Sequence, residues 1–249
     1  MRAQSPRADE AIYYPESDGK PMAETDVHRD LMMALIYALQ MFFQGDPKVY
    51  VSGNLLIYYV QGDPRRSVSP DVFVVRGVPK KPRRTYRIWQ EGRAPDVAIE
   101  LTSKSTLLED LHKKANLYAK LGVKEYFLYD PLREYLDGPL TALTLDEEGS
   151  YRPVPVNEGR VRSEVLGLDL VDTGETLKLY DPAGQRFLLT PQEAEAAWAQ
   201  AEAARARAEA ARAQAEKEKR VEADARRQAE AELARLRAEL GPRRRRKGR

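Results

Sequence analysis

The stretch from Pro95 to Asp130, PDVAIELTSKSTLLEDLHKKANLYAKLGVKEYFLYD, constrains the fold more than any other part of the chain. Val97–Leu101 is a short apolar run broken by one carboxylate, Glu100, which reads as a buried strand. Ser103 and Ser105 offer helix caps, and a helix-periodic segment follows from Thr106 to Leu121. Gly122 stops that helix, and Glu125–Tyr129 reads as a second strand. Strand, helix, strand with short joints predicts a βαβ unit with parallel neighbouring strands.

Charge falls at two places in this unit where burial makes it costly. At 100° per residue, Leu107, Leu111, Tyr118 and Leu121 form one helical stripe, and Lys114 lies inside it. Lys113 points to the opposite side. Glu100 sits in a strand that is otherwise apolar. A buried carboxylate and a buried ammonium need a partner, a metal or a ligand to replace lost hydration. A structural Glu100–Lys114 ion pair, an Asp110–Lys114 pair along the helix, and a functional site all satisfy that need.

The chain ahead of this unit opens with an irregular arm, residues 1–20, rich in turn formers. ETDVHRDLMMALIYALQMFF then predicts an amphipathic helix with Leu31, Leu35, Ala38, Leu39 and Phe42 on its apolar face. Glu24 and His28 continue that face at its N-terminal end, as candidate site residues or as a capping glutamate and a hydrogen-bonded histidine. Lys48–Ser52 and Asn54–Val60 read as a pair of strands around Gly53, and PDVFVV as a buried strand with Asp71 at its mouth. A basic, aromatic-bearing stretch follows, including Arg83, Arg84 and Arg87. It is either a nucleic-acid contact surface or a solvated loop with an edge strand.

Beyond Asp130, Leu140–Leu145, Tyr151–Val156, Leu177–Tyr180 and Arg186–Leu189 read as antiparallel strands separated by turns. Composition then shifts abruptly. Residues 191–240 carry alanine and leucine at alternating spacings of three and four, between arginines and glutamates. This predicts a helix of roughly 75 Å with a weak, coiled-coil-like seam for self-association or a protein partner. Residues 241–249, GPRRRRKGR, read as a disordered basic tail. Residues 191–249 hold 16 basic and 11 acidic side chains, so the body, with 25 and 28, is slightly acidic. A basic tail on such a body suits binding to a polyanion.

Cysteine is absent, which excludes disulfides and thiolate metal sites and suits a reducing cytoplasm. No apolar run approaches the roughly 20 residues of a membrane span, so no membrane association is expected. Any metal must use oxygen or imidazole. Asp96 and Glu100 are roughly 13 Å apart on one strand and cannot share an ion. Asp71 comes from another strand. If that strand lies beside Val97–Leu101, Asp71 and Glu100 converge at one end of the sheet and Lys114 arrives from the covering helix. Two carboxylates with waters suit Mg²⁺, and the set suits metal-assisted phosphodiester hydrolysis. The lysine would orient or deprotonate water, or stabilise transition-state charge.

The Pro70-Asp71 … Glu100 pattern resembles the PD-(D/E)xK nuclease superfamily. DGKPMAETDVHRD, SPDVFVV, APDVAIELTSKST, DLHKKANLY and GVKEYFLYDP together resemble the Uma-two family of restriction-endonuclease-like proteins, over about residues 10–190. The resemblance implies an α/β fold, a restriction-endonuclease-like mixed sheet with flanking helices, in a domain spanning residues 21–190. It further implies Asp71 and Glu100 as ligands of Mg²⁺, with Mn²⁺ as substitute, a lysine completing the site, and DNA as substrate. Glu24 and His28 match an acidic first-helix position in many superfamily members. The superfamily's usual lysine two residues after the glutamate is replaced here by Thr102. Lys114, four residues after Asp110, takes its place, with Lys104 a second candidate. The alternative is an inactive nuclease scaffold that binds DNA or protein through its helical tail.

Overall fold

The computed structural model describes residues 12–17 and 25–239, and the chain divides into two units, Met1–Pro191 and Gln192–Arg249. The first unit is built on a mixed six-stranded sheet. Its strands are β1 (Val49–Ser52), β4 (Val72–Arg76), β6 (Val97–Leu101), β7 (Glu125–Tyr129), β8 (Leu140–Leu145) and β9 (Tyr151–Val154), in that spatial order. β6 and β7 are parallel and every other neighbouring pair is antiparallel. The βαβ unit expected from the sequence is therefore present at the centre of the sheet.

Alternation along the central strands gives the sheet two apolar faces. Val72, Val74, Val97, Ile99 and Leu101 join one core cluster with helix α1 (Asp26–Phe42). A second sheet, β10 (Arg160–Ser163), β11 (Leu168–Asp172), β12 (Leu177–Asp181) and β13 (Arg186–Phe187), contributes Val161, Leu168, Leu170, Leu177 and Leu179 to the same cluster. β10 and β11 were not expected. Arg160, Arg162 and Asp169 interrupt their apolar pattern, and both arginines pair with the buried Asp169 across the antiparallel ladder. Phe73, Val75, Ala98, Tyr126 and Leu128 point to the other face. There they meet α3 (Ala115–Leu121) and a small sheet of β2 (Ile57–Tyr58), β3 (Ser67–Val68) and β5 (Tyr86–Arg87). A four-residue helix, α2 (Ile88–Glu91), follows β5.

Two local expectations change. β1 and β2 do not pair across Gly53. β1 is the edge of the large sheet and β2 the centre of the small one. The second change concerns the covering helix, which is not α-helical throughout. Glu109–Lys114 forms a π-helix ahead of α3, a wider turn of the kind frequent at functional sites. Of the N-terminal arm, residues 12–17 have no regular structure yet are anchored. Tyr14 is buried against Tyr58 and Trp89, and the Tyr58 hydroxyl donates to Pro15 O at 2.6 Å.

The second unit contains α4 (Pro191–Glu239), one 49-residue helix with no buried side chain. Its described i,i+4 pairs include Arg205–Glu209 and Arg226–Glu230. Trp198, Val221, Leu233 and Leu236 are exposed. The basic tail 241–249 lies outside the described residues. No helix among the described residues is long and apolar enough to cross a membrane.

Candidate active site

Asp71 ends up opposite Glu100 through strand register. β4 and β6 pair antiparallel with Val72 against Ile99, so one step outward places Asp71 across from Glu100. The two residues are then locked through each other's backbone. Leu101 N–H donates to Asp71 Oδ2 at 2.7 Å, and Asp71 N–H donates to Glu100 Oε2 at 3.3 Å. Gly53 holds the mouth of β4 from behind, since a Cβ there would lie 2.0 Å from the Asp71 carbonyl oxygen. Asn54, at φ +48°, donates its N–H to Pro70 O at 2.8 Å. No side chain fits at position 53 without displacing the site.

Glu100 is fully buried on the face covered by the π-helix and α3. Lys114 Nζ donates to its Oε2 at 2.8 Å, and the Tyr118 hydroxyl donates to its Oε1 at 2.6 Å. Lys114 also pairs with Asp110 Oδ1 at 2.9 Å, and Asp110 is 1% exposed. The Glu100–Lys114 and Asp110–Lys114 pairs, alternatives in the sequence, coexist. His28 comes from the first turn of α1, where the Thr25 side chain caps the helix by accepting from His28 N–H. Its Nε2 lies 3.5 Å from Asp71 Oδ1. Asp71, Lys114 and His28 side chains are 16%, 14% and 10% exposed, so the cluster meets solvent along one rim.

Three carboxylates face one ammonium, and the titration of each follows from that imbalance. Burial works against ionised Asp71, but His28, the Lys114 charge and the Leu101 N–H outweigh it and hold Asp71 below the usual carboxylate value. Burial pushes Glu100 up to about 8; Lys114 opposes the rise, and the like charges of Asp71 and Asp110 add to it. Burial also raises Asp110. For Lys114 burial favours the neutral amine, yet Glu100, Asp110 and Asp71 prevail and hold its pKa above the usual lysine value. The lysine therefore stays charged.

The donor set fits a hard divalent cation. Negative charge is in excess, and both carboxylates come from adjoining strands with oxygen lone pairs left over. Among the described residues no three His, Cys, Asp or Glu side chains form a metal cage.

Other sequence candidates lie elsewhere. Lys104 and Lys113 are exposed, and Thr102 is buried. Glu24 lies outside the described residues. Asp96 sits at the far end of β6, bound to Arg76 N–H and paired with Lys124 and Arg93. Arg83 is corrected as a nucleic-acid contact. Its side chain is 2% exposed, stacks 4.0 Å from the Tyr50 ring centre and donates to Glu91. Arg87 lies 4.6 Å over the Tyr14 ring, half-buried. Arg84 is exposed and pairs with Glu16. Tyr118 is the site residue that the sequence reading passed over. It recurs four residues after Lys114, as Lys114 does after Asp110, and that spacing was the available signal.

Residues 3–179, more than half of the chain, match the family Uma2, described as "Putative restriction endonuclease". The chain belongs to this family. No curated protein matches it. Among solved structures, the Uma2 chain is similar to a crystal structure described as a putative nuclease belonging to DUF820 from Anabaena variabilis. The two are 17% identical with a TM-score of 0.43, over 59% of this chain and 76% of that one. The Uma2 match spans α1 through β11 and ends inside β12, so it includes the whole acid cluster, while α4 lies beyond it.

Proposed function

We propose that the protein is a Mg²⁺-dependent endonuclease that hydrolyses phosphodiester bonds of DNA at the Asp71–Glu100–Lys114 cluster. The observation that carries this reading is the convergence of two strand carboxylates and one helix ammonium at a solvent-touching rim. Stability alone gives no reason for it. Well-packed apolar side chains in place of a buried ion pair are commonly neutral or stabilising by about 1–4 kcal/mol. Family membership supports the nuclease class.

In this reading Asp71 and Glu100 would hold the cation, with Mn²⁺ as a substitute, and the cation would supply Lewis-acid polarisation of a phosphate oxygen and acidify water. Attack by a water oxygen on phosphorus, with one of the water's protons passing to solvent, breaks the bond to the leaving sugar oxygen, which takes up a proton. Lys114 is charged, donates to Glu100 and forms an ion pair with Asp110, so it serves as a fixed positive charge and not as the base. His28, its Nε2 3.5 Å from Asp71 Oδ1, places an imidazole beside the site. Of the basic loop, Arg84 is exposed and would exchange its Glu16 partner for a phosphate backbone.

Purified protein with Mg²⁺ or Mn²⁺ is expected to nick or cut DNA, and Asp71→Ala, Glu100→Ala and Lys114→Ala are expected to reduce cleavage at least a hundredfold, roughly the loss of one electrostatic stabiliser. Equal cleavage by wild type and all three variants would identify a contaminant. The helix α4 is assigned to self-association along its alanine and leucine seam, because none of its side chains is buried within the chain. Light scattering should then give a larger species for the full chain than for residues 1–190. Identical subunit numbers for both would remove that assignment.

A further inference from the structure

Tyr118 is a buried side chain that the hydrolytic reading leaves without a task. Its ring packs edge-on against Tyr126 at 5.1 Å, an apolar contact that phenylalanine would keep. Its hydroxyl lies in the interior and donates to Glu100 Oε1 at 2.6 Å. Lys114, the other donor to this carboxylate, holds Oε2. Both oxygens are thus tied from one helix, by residues four apart. In a straight α-helix each four-residue step drifts about 40°. The π-helical turn Glu109–Lys114 accommodates part of that drift, and Asp110, Lys114 and Tyr118 all reach the one carboxylate neighbourhood.

We propose that Tyr118 is a positioning residue whose hydroxyl holds the Glu100 carboxylate in the orientation that grips the cation together with Asp71. This rests on the metal-site reading above. The terminal torsion of a glutamate is broad and roughly two-fold, so strand and backbone alone do not set it. Without the hydroxyl, Lys114 is free to draw both oxygens into a closed ion pair and turn the lone pairs away from Asp71. Residues that orient a ligand in this way change metal affinity about 10–100-fold when removed.

Calorimetry with Mg²⁺, repeated with Mn²⁺, on the full chain tests this directly. Tyr118→Phe should raise the dissociation constant by about tenfold or more. Tyr86→Phe is the control. Tyr86 is equally buried on the same face and its hydroxyl donates to Arg93 O at 2.9 Å, away from the acids, so affinity should hold there even if stability falls. In a Glu100→Gln background, Tyr118→Phe should cost no further affinity, since the hydroxyl acts through Glu100. Wild-type affinity in Tyr118→Phe overturns the proposal, and so does an equal loss in the Glu100→Gln background. A wild-type protein that binds neither metal removes the metal site itself, a separate result visible before any variant is made.

Discussion

Lys114→Met is expected to destabilise the metal-free protein by about 3–5 kcal/mol at pH 8, the cost of breaking a buried pair by removing one partner. Methionine nearly preserves the volume, so the loss is electrostatic. Glu100 and Asp110, at 0% and 1% exposure, would keep their burial and lose the cation they share. Lowering the pH to 5 should shrink the loss, because Glu100, pushed up to about 8, would simply stay protonated, and Asp110 is shifted in the same direction. The double variant Glu100→Gln/Lys114→Met should be more stable than Lys114→Met alone, since it removes a charge along with its partner. Urea denaturation in EDTA measures all three. A penalty in Lys114→Met below about 1 kcal/mol, typical of a surface pair, would mean that the ammonium is solvated and the cluster is not the buried site described.

Why this cluster was visible in the sequence, while its neighbour Tyr118 was not, is a matter of which interactions leave a local trace. A carboxylate inside the apolar run Val97–Leu101 violates strand patterning, and a lysine on the apolar stripe of the next helix violates helix patterning. Two violations in a βαβ unit must face each other across a short distance, and the pairing at 2.8 Å follows. A tyrosine on an apolar stripe violates nothing, so its hydroxyl went unread although its spacing from Lys114 was plain. The π-helix was invisible for a related reason. Periodicity over sixteen residues averages through one wide turn, and no residue preference marks it. β10 and β11 were missed because Arg160, Arg162 and Asp169 look like loop residues until the ladder pairs them across strands. Arg83 was misread as open because its partners, Tyr50 and Glu91, come from other elements of the fold. Contacts between distant segments, and not propensities, decided each of these cases.

The pH dependence of the metal-free fold separates a strained acid cluster from an ordinary salt bridge. The Glu100 carboxyl titrates near its ordinary value of 4.5 when unfolded and is pushed up to about 8 when folded. Between those values the folded state holds a proton that the unfolded chain has released, so folding loses stability as pH rises, by up to about 1.4 kcal/mol per unit. Asp110 is shifted in the same direction and acts with the same sign. Asp71 is shifted down, so its contribution is complete above its ordinary value of 3.8 and fades only in stronger acid, outside this window. Urea midpoints in EDTA should therefore fall from pH 5 to pH 8. Saturating Mg²⁺ should oppose that fall, because a cation at Asp71 and Glu100 displaces the proton. Its affinity should weaken about tenfold for each unit below pH 8, leaving little stabilisation at pH 5.5. A metal-free midpoint that rises through this window would mean that folded Glu100 is ionised at neutral pH, with no proton for a cation to displace.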